Sequence, residues 1–212
     1  MTNIELRIRI TQSLADVPAA DWDACAAISN ASENDTSPSP VQLTSEDNFS
    51  SQISTRAKVN NPFVTHDFLS SLEASLSVGG RTGWQVRHLL AEATDGSLLG
   101  AAPCYVKTHS RGEYVFDHGW AEAFEQAGGD YYPKIQVAVP FTPVTGPRLL
   151  ARPGPLAQAV RGGLADALVE IATTNELSSA HVTFLTEPEW RLLGERGFLQ
   201  RNDQQFHWEN QD

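Results

Sequence analysis

With 26 Asp and Glu against 15 Lys and Arg over 212 residues, the chain carries a formal charge of -11. That balance argues against duplex nucleic acid as a partner, because affinity for phosphate backbones comes from clustered Lys and Arg. The length suits a single domain with a real core, and the two widely spaced cysteines, Cys25 and Cys104, point to buried thiols, a reducing compartment and no metal site.

Met1 to Ile10 alternates apolar and polar residues, the period of a strand and not the unbroken apolar run of a signal peptide. No later stretch nears the roughly 20 apolar residues that cross a bilayer, so a cytoplasmic protein without a membrane span is expected. Asp16 to Ile28 predicts a short helix with Trp22, Cys25 and Ile28 near one face. From about 29 to 60, Ser, Thr, Asn, Asp and Pro dominate, a composition that buries too little apolar surface to offset its ordering entropy, and a disordered insertion is predicted. Order resumes at Asn61-Pro62-Phe63.

Thr65 is placed to cap the next helix, with Val64 and Leu69 as a hydrophobic staple and Phe68, Leu69, Leu72 and Leu76 at helical spacing before Gly79-Gly80. Trp84 to Ala93, the turn at Asp95-Gly96 and Ser97 to Thr108 read as an antiparallel hairpin. Tyr131 to Leu150 reads as strands interrupted by Pro140, Pro143 and Pro147. Proline has no N–H for a ladder, so a bulge or a splayed edge is expected. After Pro153-Gly154-Pro155, a helix puts Leu156, Val160, Leu164, Leu168 and Ile171 on one stripe, and Gly162-Gly163 within it would let a strand approach closely. Ala180 to Leu185 reads as a short buried strand. Thr186 to Glu189 forms a capping box, flanked by Leu185 and Trp190 as its staple, and opens a helix that Gly197 closes. Phe198 to Arg201 and Gln204 to Glu209 suggest a final hairpin.

Between Tyr131 and Ala165, 35 residues pass without a carboxylate, while Lys134, Arg148, Arg152 and Arg161 fall inside the window. This cationic segment suits an anionic ligand or acyl donor, although a buried strand followed by an apolar helix would also have little use for acids. Lys134, Arg148 and Arg152 are the candidate anion contacts, and Arg148→Ala is expected to weaken anion binding without unfolding the chain. Thr142, Thr145 and Gly146 lie in the irregular stretch, whose unpaired amides would face a ligand. Trp120, Tyr131 and Tyr132 would wall a groove for a sugar or peptide, or else sit in the core. Asp117 and His118 are the candidate catalytic pair for an amine acceptor. Against that, neighbours on a strand face opposite ways, and Asp117 could instead cap a helix from His118 to Ala127 that Gly128 stops. No G-x-S-x-G, H-E-x-x-H or phosphate loop occurs.

Four segments carry a resemblance: Asn61-Pro62-Phe63-Val64-Thr65-His66, Arg81-Thr82-Gly83-Trp84-Gln85, Gly112-Glu113-Tyr114-Val115-Phe116-Asp117-His118-Gly119-Trp120, and the run from Tyr131-Tyr132-Pro133-Lys134 to Val139 through Arg148. In this order they resemble the FemAB-like family of bacterial proteins, labelled peptidoglycan biosynthesis or recognition proteins or GNAT-type acetyltransferases. The element order is similar to that of the GNAT fold, and Glu195-Arg196-Gly197-Phe198 resembles the turn after its last helix. The resemblance implies an α+β, GNAT-like (acyl-CoA N-acyltransferase-like) domain spanning 1–212, a mixed, mostly antiparallel sheet flanked by helices. It implies transfer of an acyl or aminoacyl group to an amine on a small molecule or muropeptide, with acetyl-CoA or aminoacyl-tRNA as donor. A noncatalytic module that recognises a cell-wall precursor or a partner protein is the alternative. The Q/R-x-x-G-x-G/A turn that holds coenzyme A in GNAT enzymes is missing, and its place offers Arg148, Arg152 and Gly154. Members of the family carry a second GNAT-like half, and Phe206 to Asn210 resembles the junction, so the chain reads as a first lobe that would pair with a second lobe or with a copy of itself.

Overall fold

A computed structural model of the chain describes residues 5–27, 61–202, 204, 206 and 208; the insertion expected at about 29–60, and Ile28, lie outside the described residues. The strands are β1 (Arg7–Thr11), β2 (Trp84–Val86), β3 (His88–Glu92), β4 (Leu98–Ala102), β5 (Cys104–Lys107), β6 (Lys134–Val137), β7 (Leu150–Ala151) and β8 (Ala180–Val182). They form two sheets, ordered β1-β3-β4-β7 and β2-β5-β6-β8. Every pairing is antiparallel except that of β6 with β8. With helices α1 (Ala19–Ala26), α2 (His66–Ala74), α3 (His118–Gln126), α4 (Ala157–Thr174) and α5 (Glu187–Glu195), the architecture is the mixed, mostly antiparallel α+β arrangement expected.

The predicted hairpin links the two sheets. Leu89 pairs with Ala102 and Val86 with Tyr105, three residues further along both strands, so one register runs through the break at Arg87 and Pro103. The break has a local cause. Pro103 brings no N–H, and the Cys104 N–H goes to Nδ1 of His88 at 3.1 Å instead of to the facing carbonyl.

The proline-rich stretch forms the expected bulge. Between Leu150, opposite Ala101, and Val137, opposite Cys104, the hairpin strand advances three residues and its partner thirteen, so ten residues are extruded. This loop, residues 138–149, is closely held. The Arg148 guanidinium donates to the carbonyls of Thr183 (2.9 Å), Pro147 (3.1 Å) and Val144 (2.6 Å). Glu189, the capping-box glutamate of α5, accepts the N–H groups of Arg148 and Leu149 through Oε1 (2.8 and 2.7 Å) and the N–H and hydroxyl of Thr186 through Oε2. A carboxylate predicted from a local cap signal therefore also ties α5 to the loop.

Alternation along the strands sorts the core into two layers. Leu89, Ala102, Val137 and Ala151 pack with Val160, Leu164 and Leu168 of α4 and with Leu192 of α5. Leu90, Ala101 and Leu150 face Trp22, Val64 and Leu69 on the other side. The predicted stripe of α4 is thus buried as expected, but its glycines serve another purpose. Gly162 leaves space for the Arg196 guanidinium and Gly163 meets Leu6 Cδ1, whereas the residue that lets helix and sheet approach is Gly100 of β4. A Cβ there would collide with Val160 Cγ1 and the Leu150 carbonyl. Gly100→Ala is expected to cost about 1–3 kcal/mol of overpacking, read from its urea midpoint.

Three boundaries differ from expectation. α2 is capped by Thr65, whose Oγ1 accepts the Phe68 N–H at 3.2 Å, but it ends at Ala74, and Leu76 adopts a left-handed φ of 57° before Gly79 is reached. β8 is half-buried instead of fully buried because it closes the edge of its sheet. Phe198 to Asn202 are not in a strand; the rest of the proposed hairpin is only partly described. Among the described residues no helix is long and apolar enough to cross a membrane.

Candidate functional site

Sequence register places two lysines face to face. Lys107 of β5 pairs with Lys134 of β6, and both side chains are 0% exposed. Like charges opposed across strands repel, and a buried ammonium needs an anion. The segment between the two strands supplies two. Glu113 Oε2 accepts Lys134 Nζ at 2.9 Å and its Oε1 lies 3.7 Å from Lys107 Nζ. Asp117 Oδ2 accepts Lys134 Nζ at 2.7 Å and the Tyr131 hydroxyl at 2.9 Å.

Aromatic and hydroxyl groups complete the cluster. Lys107 Nζ sits 3.5 Å over the Trp84 ring and donates to the Arg111 carbonyl at 3.2 Å. Lys134 Nζ donates to Ser110 Oγ at 3.0 Å, and Ser110 shares a hydrogen bond of 2.7 Å with the Tyr132 hydroxyl. His181 of β8 packs edge-on against Tyr131 and bonds Ser179 through Nε2 at 2.9 Å. Two acceptor atoms are left over: buried Glu113 Oε1 and Asp117 Oδ1 have no hydrogen-bond partner.

The electrostatics follow from this enclosure. Burial pulls Lys107 down to about 8, against the pull of Glu113 in the other direction. Burial raises Glu113 above the usual carboxylate range despite Lys134 beside it. Burial would raise Asp117 as well, yet its contacts with Lys134, Ser110 and Tyr131 hold it below its ordinary value. Burial, followed by the Lys134 charge, takes His181 down to about 4, which makes it a neutral imidazole at pH 7.

A ledge adjoins the cluster. Asp117 stands at the start of α3; Trp120 and Phe124 are four apart on one face of the helix, and Phe116 lies just ahead of it. Phe116 is 82% and Trp120 58% exposed. Phe124 packs edge-on to Tyr131, whose hydroxyl is bonded to Asp117, so the ledge and the buried cluster share a wall. Arg201 lies 4.0 Å over the Trp120 ring.

The residues singled out from sequence are distributed over three places. Asp117, Tyr131, Tyr132 and Lys134 meet in the cluster, with Trp120 on the ledge beside them. Asp117 does begin a helix, but its side chain makes no cap hydrogen bond and is turned to Lys134 instead. His118 is exposed on the first turn of α3, and no hydrogen bond joins it to Asp117. Thr142, Thr145 and Gly146 lie in the extruded loop; the amides of Phe141, Val144, Gly146, Arg148 and Leu149 are all bonded, which leaves those of Thr142 and Thr145 open among the described residues. The cationic cleft expected from the carboxylate-free window does not form. Lys134 is matched by acids, Arg148 is 0% exposed and bonded to carbonyls, Arg152 pairs with Asp21 at 2.6 Å, and Arg161 donates to the Leu149 carbonyl. Lys134 and Arg152 find their acids in other segments, while Arg148 and Arg161 are bonded to carbonyls.

Glu113, Lys107, Ser110 and His181 were not anticipated. The signal for the first was present: Glu113 and Asp117 are four apart in the Gly112–Trp120 motif, between a strand that ends in a lysine and one that begins with a lysine. Among the described residues no group of His, Cys, Asp and Glu is arranged as metal ligands would be, and both cysteines are buried and free.

No curated protein and no solved structure matches the chain. A family model, FemAB-like, described as peptidoglycan biosynthesis/recognition, matches residues 13–212. That span takes in both halves of the hairpin, the extruded loop, α3 and every member of the Lys134 cluster, so the chain belongs to the FemAB-like family of peptidoglycan biosynthesis and recognition.

Proposed function

We propose that the chain is a GNAT-like lobe that binds an amine-bearing peptidoglycan precursor as the acceptor in acyl or aminoacyl transfer. The observation that carries this reading is the exposed aromatic ledge of Trp120 and Phe124 on α3, with Phe116 just ahead of the helix, set against the buried Lys134 cluster. Exposed aromatic rings in a row offer apolar contact to the C–H faces of a sugar or to peptide side chains. The two carboxylate oxygens behind them, Glu113 Oε1 and Asp117 Oδ1, have no exposed surface, so the ligand contact is made by the rings. The element order supports the GNAT-like assignment, with α3 as an added helix.

Transfer itself would need a base and an acyl carrier. Asp117 is committed to Lys134 and Tyr131, which leaves His118, exposed at the start of α3, as the base. The turn before α4, where a coenzyme A pyrophosphate would rest in a GNAT enzyme, has its arginine occupied by Asp21, which favours a donor held outside this lobe, whether acetyl-CoA or aminoacyl-tRNA. The two buried free thiols are in keeping with a cytoplasmic setting.

The test is calorimetric titration with a nucleotide-linked muropeptide, with coenzyme A and acetyl-CoA run in parallel. The muropeptide is expected to bind, and Trp120→Ala to weaken it about tenfold with an unchanged melting temperature, the loss of one aromatic anchor. No binding by the unmodified chain, or equal binding by Trp120→Ala, overturns the reading. Binding of coenzyme A species alone would replace the acceptor role with that of a donor lobe.

A further inference from the structure

A separate cavity of about 250 Å³ lies among Gln12, just past β1, the Gly79-Gly80 turn, and Gln85, Val86 and Arg87 at the end of β2. Arg87 occupies the interruption of the hairpin ladder. Its N–H donates to the Cys104 carbonyl at 2.9 Å, while the return bond is lost because the Cys104 N–H serves His88. Interruptions of this kind re-aim a side chain, and the half-buried Arg87 becomes part of the cavity wall.

The charge there is unanswered. The guanidinium bonds the Val86 carbonyl through Nη1 at 2.6 Å, none of the six lining residues is an acid, and Arg87 has no carboxylate partner among the described residues. Arg9, Lys107, Lys134, Arg152, Arg191 and Arg196 pair with acids, whereas Arg87, like Arg148 and Arg161, is bonded only to carbonyl oxygen. The remaining groups are neutral and suited to hydrogen bonding. Gln12 and Gln85 can each donate and accept. The Gly79 N–H is bonded to the Trp84 carbonyl at 2.7 Å, and the Gly80 N–H has no partner among the described residues. Both glycines hold positive φ, 84° and 54°, a conformation that fits glycine and keeps that wall free of side chains.

We infer that this cavity binds the free carboxylate end of a short peptide, with Arg87 as the charged contact, the Gly80 amide as a second donor and the Gln12 and Gln85 carboxamides matched to the adjoining peptide bond. An Arg fork fits a planar carboxylate in two parallel bonds, and capture of a peptide terminus by side-chain and backbone donors is a recurrent mode. The volume lies just below the roughly 300 Å³ lower end for larger ligands, which suits one or two terminal residues. The inference is independent of the α3 ledge.

The experiment is NMR titration of the whole chain with the dipeptide Ala-Ala, its C-terminal amide, and inorganic phosphate. Ala-Ala is expected to shift the Gly80 and Gln85 amide resonances. The C-terminal amide should bind about tenfold or more weakly, as should Ala-Ala with Arg87→Gln, each removing one charged partner. Gln85→Glu, an exposed change that places an acid in the cavity, should abolish binding and provides the same answer if Arg87→Gln fails to fold. Trp120→Ala should leave Ala-Ala affinity unaltered. Equal affinity for Ala-Ala and its amide, or full retention of binding by Gln85→Glu, overturns the inference. Phosphate binding more tightly than Ala-Ala would overturn the peptide assignment and leave a simple anion pocket.

Discussion

Arg148→Ala is expected to lose about 3 kcal/mol or more of folding stability in urea denaturation, with no specific effect on anion binding. The guanidinium donates to three carbonyls, from Val144 and Pro147 within the extruded loop and from Thr183 just past β8. Each acceptor left buried and unpaired costs about 1–3 kcal/mol, and losses of this size come from such broken buried networks. Burial also lowers the guanidinium to about 10, against the pull of the nearby Glu189 carboxylate, so at neutral pH it stays charged and its desolvation is offset by these bonds and by Glu189. Arg148→Lys separates the clamp from a ligand contact. Lysine keeps the charge but cannot span three carbonyls with a planar fork, so the stability deficit should persist. Recovery of full stability by Arg148→Lys would show that the charge, and not the clamp, matters.

The same residue shows where sequence reasoning stopped. Features decided by neighbours along the chain were readable: the Thr65 cap, the Thr186–Glu189 box, the hairpin turned at Asp95-Gly96 and the stripe of α4 all follow from spacing and local hydrogen bonding. The proline-punctuated stretch was readable as a bulge, because the missing N–H groups are a covalent fact. Its length was not, since extrusion of ten residues depends on which register the flanking strands find on a hairpin thirty residues earlier in the chain.

Partner choice was the harder quantity. A window free of acids looked cationic in one dimension, but Lys134 meets Glu113 and Asp117 from a segment some twenty residues away, and Arg152 meets Asp21 from the other end of the chain. Linear charge density reports composition, whereas a field depends on which charges fold together. Arg87, which has no carboxylate partner among the described residues, sits outside the window altogether, at a site created by a proline and a histidine that break a ladder. In the same way Asp117 read as a helix cap more readily than as a catalytic residue. The helix begins where the cap reading placed it, and the carboxylate nonetheless turns inward, because a buried lysine attracts it more strongly than exposed backbone N–H groups do.

Lys134→Met is expected to be the most damaging single change, at about 3–5 kcal/mol at pH 7, the range for removing one partner of a buried ionic group. It leaves Glu113 and Asp117 facing each other with only Lys107 near Glu113, at 3.7 Å. The deficit should depend on pH, with a defined sign. In the unmodified chain Asp117 is held below its ordinary value, so its contribution is present above the unfolded pKa near 3.8 and is lost as pH falls through the lower folded value. Without Lys134 the two carboxyls have their folded pKa values raised by burial and by each other. Their proton-bound form then stabilises the fold below the unfolded values, and that contribution is lost as pH rises through the folded ones. The variant should therefore approach the unmodified chain in stability near pH 4 and fall away from it towards pH 7. Adding Glu113→Gln and Asp117→Asn should restore much of the loss at pH 7, since a neutral hydrogen-bonding set replaces an unbalanced one. A loss that is the same at every pH, and that the two amides do not relieve, would mean that Lys134 acts through packing and that the charges on Glu113 and Asp117 play no part in holding the site together.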